Sequence, residues 1–142
     1  MDIGLLQAKR VIDCARQEGF GLGLKPLTVV VLDSGGHVVA AEREDGASMA
    51  RFQIAFAKAY GALALGVGSR GLMARAEQQP YFVAAVTNAI GGALVPVPGG
   101  VLIQNAQGHL IGAVGVTGDT SDNDELAAIA GIGAAGLTGR VA

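Results

Sequence analysis

Two similar stretches decide the fold: Val29-Val30-Val31-Leu32-Asp33-Ser34-Gly35-Gly36-His37-Val38-Val39-Ala40-Ala41 and Val101-Leu102-Ile103-Gln104-Asn105-Ala106-Gln107-Gly108-His109-Leu110-Ile111-Gly112-Ala113. Each contains a β-branched apolar run, an Asx residue, a short glycine-bearing turn, a histidine and a second apolar run. That order is typical of a β-hairpin. The repetition therefore predicts two hairpins that share one antiparallel sheet.

Helical patterns surround the two hairpins. Apolar residues at helical spacing predict helices over residues 3–17, 49–65, 70–78, 81–90 and 123–137. Ser48 is the expected N-cap of the second helix, and Asp122 with Glu125 fits a capping box for the last. Residues 91–100 carry Pro96 and Pro98, which predict a loop and an edge strand. We expect an α+β sandwich of about five antiparallel strands with helices packed against the sheet.

The composition indicates a single domain, residues 1–142, that associates with copies of itself. Hydrophobic residues make up 51% of the chain and charged residues only 15%, which is a low charge density for a monomer of this size. The predicted helix over 49–65 is apolar on two faces, so we expect it to be sandwiched. We therefore expect a homo-oligomer that buries apolar surface between its subunits.

Several classes of protein are disfavoured by the same counts. No apolar run reaches the ~18 residues of a membrane span, and the N-terminal residues show no basic signal region, so we expect a cytoplasmic protein. Cys14 is the only cysteine, which excludes an intramolecular disulfide and a cysteine-based zinc site. A net charge of -2 without basic runs argues against nucleic acid as a partner.

Five segments and one further residue, in order along the chain, resemble the GlcG/HbpS family of small haem-binding proteins, which also forms the C-terminal domain of some corrinoid adenosyltransferases. The matching segments are VLDSGG (31–36), EREDGA (42–47), AKA (57–59), LVPVPGGV (94–101) and GAVGVTG (112–118), together with Asp124. The ordered set, rather than any one segment, carries the resemblance.

The resemblance implies a profilin-like α+β fold, a dimer-based assembly such as a tetramer or octamer, and haem or iron binding in some members. The chain departs from the family pattern at His37, where Asn is usual, and at Thr117, where Ser is common. The family shares no single axial haem ligand, and a fold by itself does not assign a function.

Lys58 is the sharpest candidate for a functional residue. It lies on a predicted helix face otherwise made of Ile54, Ala55, Ala62 and Leu65, where an ammonium must pair, reach solvent or lose its proton. It is therefore either an anion anchor or general base in an interface pocket, or a structural partner for Asp45 or Asp124.

Other candidates for ligand binding surround this position in the sequence. Arg43 matches the resemblance together with Asp45 and is suited to clamp a carboxylate or haem propionate. Glycine-rich loops supply bare backbone N–H groups for an anion, and the alternative is that their glycines serve tight turns. The predicted loop residues are Pro98, Gly99, Gly100, Gly115, Thr117 and Gly118.

His37 and His109 occupy matching positions in the two hairpins and are the candidate ligands for haem iron or a metal. The alternative is that both follow turn glycines and face solvent.

These candidates support three hypotheses. The first is a binding module whose pockets, lined by Arg43, Lys58, residues 98–100 and Thr117, take an acidic small molecule, with haem as the candidate cofactor. The second is a cofactor-independent enzyme of the isomerase, hydratase or decarboxylase type. In it Lys58 acts as base or Schiff-base donor on a small carboxylate or carbonyl substrate, with Asp45 or Asp124 as proton partner. The third is a structural or regulatory oligomer without a ligand.

Overall fold

A computed structural model describes all residues, 1–142, as five helices and five strands. The elements are α1 (Leu5–Gly21), β1 (Thr28–Asp33), β2 (Val38–Arg43), α2 (Arg51–Leu65), α3 (Ser69–Gln78), α4 (Pro80–Ala89), β3 (Gly100–Gln104), β4 (Leu110–Thr117), α5 (Ser121–Ala134) and β5 (Thr138–Arg140).

The strands form one sheet in the order β2-β1-β4-β3-β5, and every neighbouring pair is antiparallel. The two predicted hairpins are present as β1–β2 and β3–β4, joined through the central pair β1–β4. This arrangement confirms the α+β class and the sheet of about five antiparallel strands.

The fifth strand is not the one that the sequence predicts. Residues 91–99 contain no strand, and the fifth strand is β5, which pairs with β3 at Leu102–Gln104. Pro96 and Pro98 have no backbone N–H to donate to a ladder. The predicted last helix also ends early, at Ala134, because Gly136 turns the chain with a φ of 75°.

Two predicted helix caps are wrong. Ser48 does not cap α2, which has no side-chain cap and begins after Ala50. The hydroxyl of Thr120, rather than a capping box at Asp122, accepts a hydrogen bond from the backbone N–H of Asn123 and caps the start of α5.

The two predicted short helices are both present, as α3 and α4. Pro80 takes the first position of α4, where its missing N–H costs nothing.

The sheet is covered on both faces. Helices α1 and α5 pack over one face, where Val29, Val31 and Val114 belong to the larger core. Helix α2 covers the other face, where Ala55, Ala59 and Ala62 meet Val30 and Leu32. The opposite stripe of α2 stays partly open, with Phe52 38% exposed, so the helix is not sandwiched within one chain.

None of the five helices has the length and hydrophobicity that crossing a bilayer requires.

The close approach of α2 to β4 depends on glycine. A Cβ on Gly115 would overlap the Ala55 carbonyl, and a Cβ on Gly100 would overlap the Lys58 carbonyl. Small residues on both sides therefore allow the helix backbone to lie directly on the strands.

Gly115→Ala is expected to lower the free energy of unfolding by about 1–3 kcal/mol, because the added methyl group forces backbone to move. Gly133→Ala is the matched control, since nothing lies within 4 Å of a Cβ there. It should stabilise α5 slightly, by up to about 1 kcal/mol. Urea denaturation measures both changes, and equal stability of the two variants would contradict the packing argument.

Candidate functional site

Three side chains form a row across one end of the sheet. Thr28 pairs with Arg43 on β2 and with Thr117 on β4, and directly opposed residues of antiparallel strands point to the same face. We call this end of the sheet the Thr117 end. Residues 43, 45, 98–100, 117, 118 and 124, which the sequence singles out, lie at or next to this end.

Arg51 covers this row from the first turn of α2. Its Nη1 donates to Thr117 Oγ1 at 2.8 Å, and its Nε donates to Ser48 Oγ at 3.2 Å. No carboxylate oxygen lies within 4.0 Å of the Arg51 or Arg43 guanidinium. Arg43 instead donates to the Ala47 carbonyl at 2.8 Å. Two cations at this end therefore have no acidic partner in the chain.

Thr28 is the one buried side chain whose polar atom has no hydrogen-bond partner. The residue is 0% exposed, and its Oγ1 forms no hydrogen bond. Leaving a buried hydroxyl unpaired costs about 1–3 kcal/mol, so such groups are rare in folded proteins. Its place between Arg43 and Thr117 marks this row as a polar site.

Lys58 forms a buried ion pair below the row. Its side chain is 2% exposed, and Nζ donates to Asp124 Oδ2 at 3.2 Å and to the Val116 carbonyl at 3.0 Å. Burial lowers the pKa of Lys58, and Asp124 partly opposes that change. Burial likewise raises the pKa of Asp124, against the effect of the Lys58 ammonium. Of the two partners predicted for Lys58, the structure selects Asp124.

Asp124 extends the network to the start of α5. Its Oδ1 accepts the backbone N–H of Asp119 at 2.9 Å, and the Asp119 carboxylate accepts hydrogen bonds from Asn123 and from the backbone of Lys25. The Asn123 side chain, followed by the backbone groups of Lys25 and Thr120, lowers the pKa of Asp119 to about 2. The network joins α2, β4, α5 and the segment before β1.

Two of the predicted loop glycines, Gly100 and Gly115, lie in strands β3 and β4 instead, and all four glycines pack closely against other elements. A Cβ on Gly99 would lie 2.8 Å from Lys58 Nζ, and one on Gly118 would overlap the Pro26 carbonyl. The Gly100 N–H already donates to Ser69 Oγ at 2.7 Å. Together with the overlaps at Gly100 and Gly115, these contacts explain the glycines by close backbone approach. Pro98 is buried beside them.

The remaining candidates are not part of the Lys58–Asp124 network. Asp45 is exposed and forms no ion pair with Lys58. His37 and His109 are exposed at the hairpin tips, and both tips lie at the other end of the sheet because Asp33 pairs with Gly112 and Gln104 with Leu110. A strand of eight residues such as β4 spans about 25 Å. A single chain therefore cannot bring these imidazoles and Arg51 to the same small ligand.

The two hairpin tips share one local arrangement. Asp33 Oδ1 accepts the backbone N–H groups of Gly35 and His37, and Asn105 Oδ1 accepts those of Gln107 and His109. Asp33 also contacts His37 Nδ1 at 3.1 Å, and the backbone hydrogen bond from His37 is the main cause of the lowered pKa of Asp33. The sequence repeat thus encodes Asx turns.

No cavity within the single chain is lined by Lys58, Thr117 or residues 98–100. The cavities lie along α1, around Arg16 and Phe20, and between α3 and α4. Sequence reasoning missed Arg51 and Thr28 as members of a site. Arg51 precedes Lys58 by two helical turns and so lies on the same face of α2. This spacing is the sequence pattern that could have identified Arg51 as a member of the site.

Lys58→Met is expected to lower the free energy of unfolding by about 3–5 kcal/mol at neutral pH, because the Asp124 charge remains buried without a partner. The added change Asp124→Asn should recover much of this loss, since the amide oxygen still accepts the Asp119 N–H. Lys9→Met, on the exposed side of α1, is the control. Equal urea midpoints for Lys58→Met and Lys9→Met would contradict a paired buried charge.

The same pair predicts how stability varies with pH. The pKa of Asp124 is raised in the folded protein. Between the ordinary and the raised pKa, the folded state therefore binds more protons than the unfolded state, and the free energy of unfolding falls as the pH rises through that interval. The pKa of Lys58 is lowered in the folded protein. Between the lowered and the ordinary pKa, the unfolded state binds more protons than the folded state, so the free energy of unfolding rises as the pH rises through that interval. Relative to Lys58→Met/Asp124→Asn, the wild type should therefore be least stable near neutral pH. Denaturation curves from pH 4 to 10 test this, and a maximum at neutral pH would refute it.

Several solved structures align with nearly the whole chain. They include a PduOC–haem complex (22% identity, TM-score 0.85, 96% of this chain and 97% of that chain). Protein ORFY of Klebsiella pneumoniae is 23% identical, with a TM-score of 0.84 over 94% of this chain and 90% of that chain. A double mutant of HbpS from Streptomyces reticuli is 26% identical, with a TM-score of 0.79 over 94% and 86%.

No curated protein sequence matches the chain. Residues 3–133 match the family described as haem degrading protein HbpS-like. Because this match covers most of the chain and the fold agrees with HbpS over nearly its whole length, the protein is a member of the HbpS-like family.

Proposed function

We propose that the protein is a haem-binding protein and that the Thr117 end of the sheet holds the haem propionates. The family match and the similarity to a PduOC–haem complex and to HbpS support haem as the ligand. Arg51 and Arg43 would hold the acidic groups, and the Thr117 hydroxyl fixes the position of Arg51.

One observation carries this proposal: Arg51 is held in place by two hydroxyl groups and has no carboxylate partner. A guanidinium presents several N–H donors in a plane and binds a carboxylate through two parallel hydrogen bonds. Thr28, which has a buried hydroxyl without a partner, lies beside Thr117 in the same row. Thr28 and Thr117 are buried beneath Arg51, so a propionate would pair with the guanidinium first and would give Thr28 an acceptor only if the Arg51 side chain moved aside.

Lys58 and Asp124 act as positioning residues in this proposal. Their hydrogen bonds hold the end of β4 against the start of α5. This keeps Thr117 within hydrogen-bond distance of Arg51. The predicted pocket residues Gly99, Gly100, Gly115 and Gly118 contribute by allowing this close packing rather than by binding the anion.

The ring of the haem requires apolar walls, which a second copy of the chain would complete. Met49 is 90% exposed and Phe52 38% exposed beside Arg51, so one subunit leaves this apolar surface open to water. A homo-oligomer whose subunits meet around the Thr117 end would bury this apolar surface.

The hydrogen-bond donors at the Thr117 end are suited to the propionate groups of haem. For the iron, Met49 offers a thioether at the Thr117 end, a type of ligand found in cytochromes. His37 and His109 lie at the opposite end and can reach the same haem only from another subunit. The variants below distinguish these two sources of an axial ligand.

Titration of the purified protein with haem is expected to give a saturable, shifted Soret band. Arg51→Gln should weaken haem binding about tenfold, which corresponds to losing about 1.4 kcal/mol of charge-assisted hydrogen bonding. Lys9→Gln removes the same charge from the exposed side of α1 and should bind haem like the wild type. Met49→Leu, His37→Ala and His109→Ala identify the iron ligand by the change in band position.

A weak absorbance change that never saturates would sink the haem proposal. Saturable binding that Arg51→Gln leaves unaltered would reject the Thr117 end as the site while keeping haem as the ligand. Circular dichroism of each variant checks that the fold is retained.

The enzyme hypothesis has one supporting observation, the lowered pKa of Lys58. Such an amine suits a general base or a Schiff-base donor acting on a small carbonyl or carboxylate. In this structure Gly99, Val116 and Asp124 enclose Nζ, so a substrate would reach it only after residues 98–100 moved away. The geometry therefore favours binding over catalysis.

A further inference from the structure

A separate cavity of about 390 Å³ lies between α3, α4 and the end of α2. We call it the α3–α4 groove. Its apolar wall includes Leu65, Val67, Leu72 and Phe82, and its polar side is formed by Arg75 and Gln78. Its volume falls within the range of about 300–1,000 Å³ that small-molecule sites occupy.

The cation at the groove has free donor groups. The Arg75 guanidinium lies 3.9 Å from the centroid of the Phe82 ring, and its Nε donates to Gln79 Oε1 at 2.6 Å. The two terminal nitrogens make no hydrogen bond within the chain, and no carboxylate lies within 4.0 Å of them. Stacking on an aromatic face leaves the edge of a guanidinium available to an anion.

No acidic side chain lines the groove to compete for Arg75. Glu77 is close in sequence, but two residues along a helix place it on a different face. An apolar slot beside an unpaired guanidinium is complementary to a molecule with a hydrocarbon part and one negative group. The lining contains no histidine, cysteine, methionine or tyrosine, so it offers haem iron none of its common ligands.

We propose that the α3–α4 groove binds an aliphatic carboxylate, with the alkyl chain against Leu65, Val67 and Leu72 and the carboxylate on Arg75. Burial of the chain supplies affinity in proportion to apolar area, and the bidentate ion pair selects the acid over a neutral molecule of the same shape. This site is independent of the haem proposal, because none of its lining residues belongs to the Thr117 end.

Decanoate is the probe, and methyl NMR of the full chain is the measurement. Saturable shifts are expected for the methyl groups of Leu65, Val67 and Leu72, with decanol binding about tenfold more weakly because it lacks the charge. Arg75→Gln should weaken decanoate about tenfold and leave decanol unaffected. Ala74→Trp, which fills the mouth of the groove, should abolish both, and Lys9→Gln should alter neither.

The proposal is overturned if decanoate causes no saturable shift. Coverage of the groove by a second copy of the chain in solution would give that result. The proposal is also overturned if decanol binds as tightly as decanoate, or if Arg75→Gln binds decanoate like the wild type. Displacement of decanoate by haem would reject a separate site, whereas failure of the haem titration alone leaves this proposal intact.

Discussion

The buried pair of Lys58 and Asp124 is the constraint on which the arrangement of this molecule depends. Both groups are removed from water, and an ammonium or a carboxylate alone in that position would carry a large desolvation penalty. The pair is tolerated only if α2, the end of β4 and the start of α5 hold its members within hydrogen-bond distance. Such pairs contribute little net stability compared with apolar packing, but separating the two partners is costly, so the pair disfavours any change in the relative position of these three elements.

That requirement explains the glycines around it. Lys58 reaches Asp124 because the α2 backbone lies directly on β3 and β4, where Gly100 and Gly115 have no Cβ to hold it away. Gly99 leaves space for the ammonium itself. The glycines that the sequence also offers as an anion-binding loop lie, in this fold, in close contact with the backbone around a buried charge.

The two ends of the sheet are chemically different. Asx turns close both hairpins at one end and leave two exposed histidines there. At the other end, guanidinium and hydroxyl groups converge under the first turn of α2 without an acid to neutralise them. At the α3–α4 groove, Arg75 likewise has no carboxylate partner and stacks on Phe82. The two sites proposed above for acidic ligands each contain a guanidinium that has no carboxylate partner in the chain.

The sequence by itself determined the two hairpins and the five helices, because these depend on local periodicity and turn chemistry, and its ordered segments resemble the family to which the chain belongs. It also indicated that a lysine on an apolar helix face must pair, reach solvent or lose its proton. Only the tertiary structure decided that Asp124 and not Asp45 is the partner of this lysine, that β5 is the fifth strand, and that Arg51 and Thr28 join Thr117. Each of these depends on which strand ends meet across the sheet, and contacts between distant residues leave no periodic signal in one chain.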